Sequence, residues 1–100
     1  MAERFVIHVD PELKDLIPGY LERLRENMRL IKGHLHEGDY EKIRFLGHNM
    51  KGSGGGYGFD RVSEIGLGLE NAARSGMDSN IQSLLKDLES YLEHLEIHFG

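Results

Sequence analysis

Cysteine is absent from the 100-residue chain, so neither a disulfide framework nor a thiolate metal site is available. Long apolar runs are missing too. The runs span only a few residues, as in Phe5–Ile7, which excludes a transmembrane helix. The opening residues, Met1 to Phe5, have neither the basic start nor the apolar stretch of a secretory signal. Positive charge is also in deficit: the formal net charge is −5. A phosphate backbone needs a basic footprint, so nucleic acid is excluded as a partner. These absences lead us to expect a soluble, cytoplasmic protein with no membrane contact. Its length suits a single compact domain over residues 1–100.

Helical spacing dominates what is present. Leu13, Leu16, Ile17, Tyr20, Leu21, Leu24, Met28, Ile31 and Leu35 recur at threes and fours, the period of one helix face. Asp10 before Pro11 reads as an N-cap and first helical residue. Pro18 interrupts the stripe without changing its phase. This predicts a short helix, a break or kink, then a long helix to about His36. Gly38 and Asp39 supply a stop and the next cap. A second helix is expected from Tyr40 and a third from Asp60 to Ser75–Gly76, with Val62, Ile65, Leu69, Ala72 and Ala73 inward. A fourth starts near Asp78 or Ser79, striped by Ile81, Leu84, Leu85, Leu88, Leu92 and Leu95. Residues 4–9 alternate weakly, but no second strand pattern stands out to pair with them. Residues 1–9 are therefore expected to form an extended arm on a bundle spanning 10–99. Short connections make neighbouring helices antiparallel, so the expected fold is all-α: an up-down-up-down four-helix bundle with a short extra N-terminal helix.

The stretch Gly47 to Gly58, "GHNMKGSGGGYG", holds the candidate site. At about 100° per residue, Ile43, Leu46, Met50, Ser53 and Tyr57 fall roughly opposite His48. They form the bundle-facing stripe, so His48 projects into solvent from the middle of a helix. Arg44, Lys51 and Gly52 lie within one turn of it, and Gly55 two turns on. Each glycine inside a helix costs about 0.5–1 kcal/mol relative to alanine. Gly52, Gly54, Gly55 and Gly56 together could forfeit roughly 2–4 kcal/mol, a large share of a small domain's stability. Bare helix surface beside an exposed imidazole would let another macromolecule bring its own groups up to the ring. The plain alternative is that the glycines end the helix and His48 is an ordinary surface residue.

The ordered set His48, Lys51, Gly52, Ser53 and Gly58, followed by "FDRVSEIGLGLE" to Glu70, resembles the signature of histidine-containing phosphotransfer (Hpt) domains. The likeness is close over Gly47–Glu70, and the expected bundle extends it over most of the chain. Met50, where leucine or isoleucine is common, and the glycine load at 54–56 are departures that remove no chemical group the family uses. The resemblance implies that His48 is the phosphoacceptor, taking a phosphoryl group from a histidine kinase or a receiver domain and passing it to a receiver aspartate. A neutral imidazole offers one free nitrogen lone pair near neutral pH, and exposure admits a bulky donor. His48 and Glu70 lie about equally far from the turn near Tyr57–Phe59, so they sit at similar height in an antiparallel hairpin. Glu70 can then accept from the inner ring N–H. Lys51 can reach the phosphoryl oxygens. Arg74, one turn past Glu70, and Arg44 extend a positive patch suited to a receiver's carboxylates, or else serve as ordinary surface charges. The implied protein is a monomeric or weakly associating phosphocarrier and not an enzyme, with no cofactor or nucleotide site of its own. Met1 and the close of the expected bundle at Phe99 lead us to expect a stand-alone protein.

Three other readings compete. A nucleotide-binding loop needs Gly-Lys-Ser/Thr after its glycines, and here Lys51 precedes them. A metal-binding bundle is invited by six histidines, with His94 and His98 one helical turn apart. No Glu-x-x-His pair occurs, however, and His34, His36, His94 and His98 are more simply polar residues at helix ends or flanks. A structural helical interaction module would share the apolar stripes without needing the exposed His–Lys–Gly face. The same fold as the phosphorylatable N-terminal domain of a chemotaxis-type kinase is the nearest functional alternative.

Overall fold

The Asp10 carboxylate accepts the backbone N–H of Glu12 at 2.9 Å, and Pro11 follows as the first helical residue. Both roles follow from residue type: a short acceptor side chain caps, and proline's missing N–H is no loss in a first turn. The structure, a computed structural model, describes residues 4–100, so residues 1–3 of the expected arm lie outside it. The short extra helix is a 3₁₀ helix, Pro11–Leu16, that runs directly into α1 (Ile17–Glu37). Pro18 stands in the first turn of α1. The expected interruption is therefore a change of helix type, since a proline there breaks no helical hydrogen bond.

Gly38, at φ +71°, ends α1 in the left-handed conformation that glycine adopts without a steric penalty. Asp39 then caps α2 (Tyr40–Gly54), accepting the N–H of Lys42 at 3.3 Å. A 3₁₀ turn over Gly55–Tyr57 and a left-handed Gly58 lead to α3 (Asp60–Arg74). Gly76 leads to α4 (Asp78–Glu93). The core follows the stripes. Tyr20, Leu24 and Ile31 meet Ile43 and Met50, Val62, Ile65 and Leu69, and Ile81, Leu88 and Tyr91, all buried. Phe59 closes the α2–α3 end. Tyr20 stacks on Tyr57 and Phe59 there, with its hydroxyl 3.0 Å from Ser53 Oγ.

The chain ends correct the sequence reading. Residues Phe5–Val9 form a strand, β1, and Leu95–Phe99 form a second, β2, paired in parallel with Phe5 opposite Leu95 and Val9 opposite Phe99. The helical bundle thus stops at Glu93. Leu95 belongs to the sheet and not to the α4 stripe. His94 and His98 are accordingly not one helical turn apart: His94 Nδ1 lies 2.7 Å from the Ser90 carbonyl oxygen, and His98 sits on β2. Four antiparallel helices bring the start of the first and the end of the last to one end of the bundle. There the two flanking segments pair, with Phe5 packed on Tyr91 at 5.0 Å between ring centroids.

The Tyr91 hydroxyl is buried and finds no hydrogen-bond partner among the described residues. Its burial pushes the phenol from 10.0 up to about 12. Folded and unfolded chains both keep the proton below pH 10, and the stabilisation is intact there. As pH rises from 10 towards 12 the unfolded chain ionises first, so stability falls. Tyr91→Phe removes an unpaired buried hydroxyl. It should leave stability at pH 7 unchanged or raise it by up to about 1 kcal/mol. The wild type should lose about 1 kcal/mol relative to the variant by pH 11. Urea unfolding of both proteins at the two pH values checks this; equal slopes with pH would refute it.

Candidate functional site

Two facing glycines bring α2 and α3 unusually close. A Cβ on Gly66 would lie 2.4 Å from the Lys51 backbone nitrogen and 2.6 Å from the Gly47 carbonyl oxygen. One on Gly47 would lie 2.8 Å from the Glu70 backbone nitrogen. Only bare backbone fits there. Gly54 belongs to the same seam, since a Cβ on it would be 2.7 Å from the Ser63 nitrogen. Its expected role as open surface is therefore corrected: Gly54 is buried and serves helix packing. Gly52 is different. Nothing lies within 4 Å of where its Cβ would be, so it is the bare, exposed surface that the sequence suggested. Gly55 is exposed in the 3₁₀ turn, and its N–H donates to Ser63 Oγ at 2.9 Å.

This close approach sets His48 beside Glu70. The imidazole stands outward, its side chain 60% exposed, while the Glu70 side chain is only 8% exposed. His48 Nδ1 lies 3.1 Å from Glu70 Oε2. A carboxylate can only accept, so Nδ1 carries the hydrogen, and in the neutral ring Nε2 presents its lone pair to solvent. A buried carboxylate is tolerated only when it is well paired, and Glu70 is. Lys51 Nζ approaches Oε1 at 3.8 Å, and Arg74 Nη2 approaches Oε2 at 3.5 Å. One buried anion therefore gathers an imidazole and two cationic side chains on a single face, leaving that face positive although the chain is acidic.

Arg44 is not drawn into this cluster. Its guanidinium makes a two-point contact with Glu41, at 2.6 and 3.3 Å. That contact pushes its pKa up, with a smaller contribution from the Glu70 charge. Arg44 and Arg74 do line a shared groove with Tyr40, Glu41 and Gly76, of about 460 Å³.

Sequence reasoning missed several residues that hold the site. Ser63 donates to the Lys51 carbonyl oxygen at 2.9 Å while accepting from Gly55, tying the end of α2 to α3. Gly47 and Gly66 set the interhelical distance. Phe45, 58% exposed, offers an apolar ring one turn before His48. Small residues at Gly47 and Gly54, seven apart, facing Ser63 and Gly66, three apart, are the signal that could have located the seam.

Among the described residues no three His, Asp or Glu side chains gather to hold a metal ion, and no helix is long and apolar enough to cross a membrane. Compared with known proteins, the chain finds no match among the curated proteins or the solved structures. The family model described as the Hpt domain matches residues 15–98, nearly the whole chain. With its helical bundle and its outward histidine backed by a buried glutamate, the chain belongs to the Hpt domain family, whose members are phosphocarriers in two-component signalling.

Proposed function

We propose that residues 1–100 act as one phosphotransfer domain in the cytoplasm, with His48 as the phosphoacceptor between a histidine kinase or receiver domain and a receiver aspartate. The observation that carries this reading is the 3.1 Å contact from Nδ1 of an exposed ring to a buried carboxylate. In the forward step the Nε2 lone pair attacks the phosphorus of a receiver's phosphoaspartate. The N–P bond forms as the P–O bond to the aspartate breaks, and the freed carboxylate keeps the electron pair. The positive charge that develops on the ring is shared through Nδ1–H with Glu70. Lys51, one turn from His48, is positioned to neutralise phosphoryl oxygens. Arg74 extends the positive face towards the acidic pocket of a receiver. Gly52 leaves room for that partner's backbone, and Gly55 and Arg44 border the same approach. In this reading the domain has no kinase activity of its own, and the receiver supplies the carboxylates and the Mg²⁺.

The direct experiment is incubation with a phosphorylated receiver domain, followed by mapping of the label. An acid-labile, alkali-stable label on His48 is the expected outcome. An acid-stable label, or none on a folded protein with any donor, would refute the reading. Glu70 gives a graded test. Glu70→Ala removes the acceptor that fixes the ring, and transfer should slow roughly ten- to a hundredfold, as when a carboxylate behind a metal-bound imidazole is lost. Glu70→Gln keeps an acceptor oxygen in place and should retain most of the rate. Equal rates for wild type and Glu70→Ala would remove Glu70 from the mechanism.

A further inference from the structure

The two-stranded sheet has two edges, and they are not equivalent. Phe5 donates its N–H to the His94 carbonyl, and Gly100 donates to the Val9 carbonyl. In a parallel ladder this alternation commits Phe5, Ile7 and Val9 on one strand to His94, Glu96, His98 and Gly100 on the other. The backbone groups of Leu95, Ile97 and Phe99 are thereby directed away from β1. On the far edge of β1, Gly58 stands against the outward His8 carbonyl oxygen, where a Cβ would lie 3.0 Å from it, while Val6 is exposed. The outward N–H and C=O groups of Leu95, Ile97 and Phe99 find no backbone partner among the described residues. Beside this edge runs a groove of about 490 Å³ in which Ile97 and Phe99 face Ile17, Pro18 and Leu21 of α1, with three charged side chains also lining it. An unpaired edge with apolar side chains next to a largely apolar groove is a template for strand addition.

The sequence of β2 specifies its own complement. Two copies laid antiparallel about a two-fold axis through Ile97 set Leu95 opposite Phe99 of the second copy, and Ile97 opposite Ile97. Glu96 then faces His98 of the second copy, twice over. The three outward-directed residues become the hydrogen-bonded pairs of an antiparallel ladder, each pair exchanging two bonds. Glu96 and His98 already prove compatible within one chain, where His98 Nε2 lies 2.9 Å from Glu96 Oε2. Apolar side chains of the second strand would enter the groove against Pro18 and Leu21. None of these residues belongs to the His48 cluster.

We infer that the β2 edge is a homodimer interface: two copies pair Leu95–Phe99 antiparallel, joining their ribbons into one four-stranded sheet. This goes beyond the phosphocarrier reading and gives a specific form to the weak association that the sequence reading allowed. The contact is one short strand from each copy, so the affinity should be modest, with Kd on the order of 10–100 µM.

Sedimentation equilibrium of the full chain over micromolar to millimolar concentration should show a monomer–dimer exchange. Glu96→Lys sets a cation opposite each histidine and should raise Kd about tenfold. The double variant Glu96→Lys with His98→Glu restores opposite charges across the axis and should recover the dimer. Amide hydrogen exchange gives a readout independent of mutation. The N–H groups of Leu95, Ile97 and Phe99 should gain protection as concentration rises, while Glu96 and His98, bonded to β1, stay protected throughout. A chain that remains monomeric to millimolar concentration overturns the inference. So does a dimer that neither protects these three amides nor responds to the charge variants, and so does edge protection that appears only when a receiver domain is added.

Discussion

Replacing His48 by glutamine is expected to reduce phosphoryl acceptance to background while leaving the fold intact. An amide nitrogen has its lone pair tied up in resonance and cannot attack phosphorus, so no residual rate should survive at this position. The fold should be indifferent because the ring is 60% exposed and its polar partner is Glu70. A glutamine amide can still donate to that carboxylate, so stability should change by no more than about 0.5–1 kcal/mol. Acid-labile label after incubation with a phosphorylated receiver measures the first half, and thermal unfolding measures the second. Label persisting in His48→Gln would move the phosphoacceptor elsewhere. Lost label accompanied by an unfolded protein would leave the chemistry to be read from Glu70→Ala instead.

The second large effect is on stability, and it pits two glycines of the same hairpin against each other. Gly66→Ala inserts a methyl where backbone atoms of α2 stand 2.4 and 2.6 Å away. No side-chain rotation relieves that clash, so the helices must separate along the seam holding Gly47 and Gly54. The cost should be about 2–3 kcal/mol after the modest gain in helix propensity. For a domain this size that lowers the melting temperature by roughly 10–20 °C. The same separation pulls Glu70 from His48, so phosphoryl acceptance should fall in parallel. Gly52→Ala makes the same chemical change in α2 where nothing lies within 4 Å, and it should stabilise the protein by about 0.5–1 kcal/mol. Calorimetry on the pair is decisive. A Gly66→Ala protein as stable as the wild type would mean that the helices are not in backbone contact.

Most of the helical bundle could be read from residue types because its determinants are local. Asp10 and Asp39 cap because of their carboxylates, Gly38 ends a helix because it tolerates positive φ, and the stripes from Ile17 to Leu92 repeat at the helical period. The outward direction of His48 and the inward direction of Met50 follow from that same period. The Glu70 partnership was legible as well, from equal distances to the Tyr57–Phe59 turn. What local pattern could not convey was contact between distant segments. Leu95 continues the α4 stripe in phase, and only the chain's return to the N-terminal end makes it a strand. A parallel pair has no hairpin turn to announce it. Arg44, like Lys51, lies within one turn of His48, but Glu41, three residues before it, holds its guanidinium.

By itself the sequence determined where each helix starts and where α1 and α3 stop, which faces are apolar, and that an imidazole, a lysine and a glutamate lie on one side of a hairpin. Tertiary structure decided the separations. Backbone contact at Gly47 and Gly66 sets α2 against α3, and that spacing turns Glu70 from a surface charge into a buried acceptor shared by His48, Lys51 and Arg74. The division has a physical cause. Helix periodicity and capping act over a few residues, whereas the burial of a carboxylate and the pairing of chain ends depend on groups brought together only when the whole bundle closes.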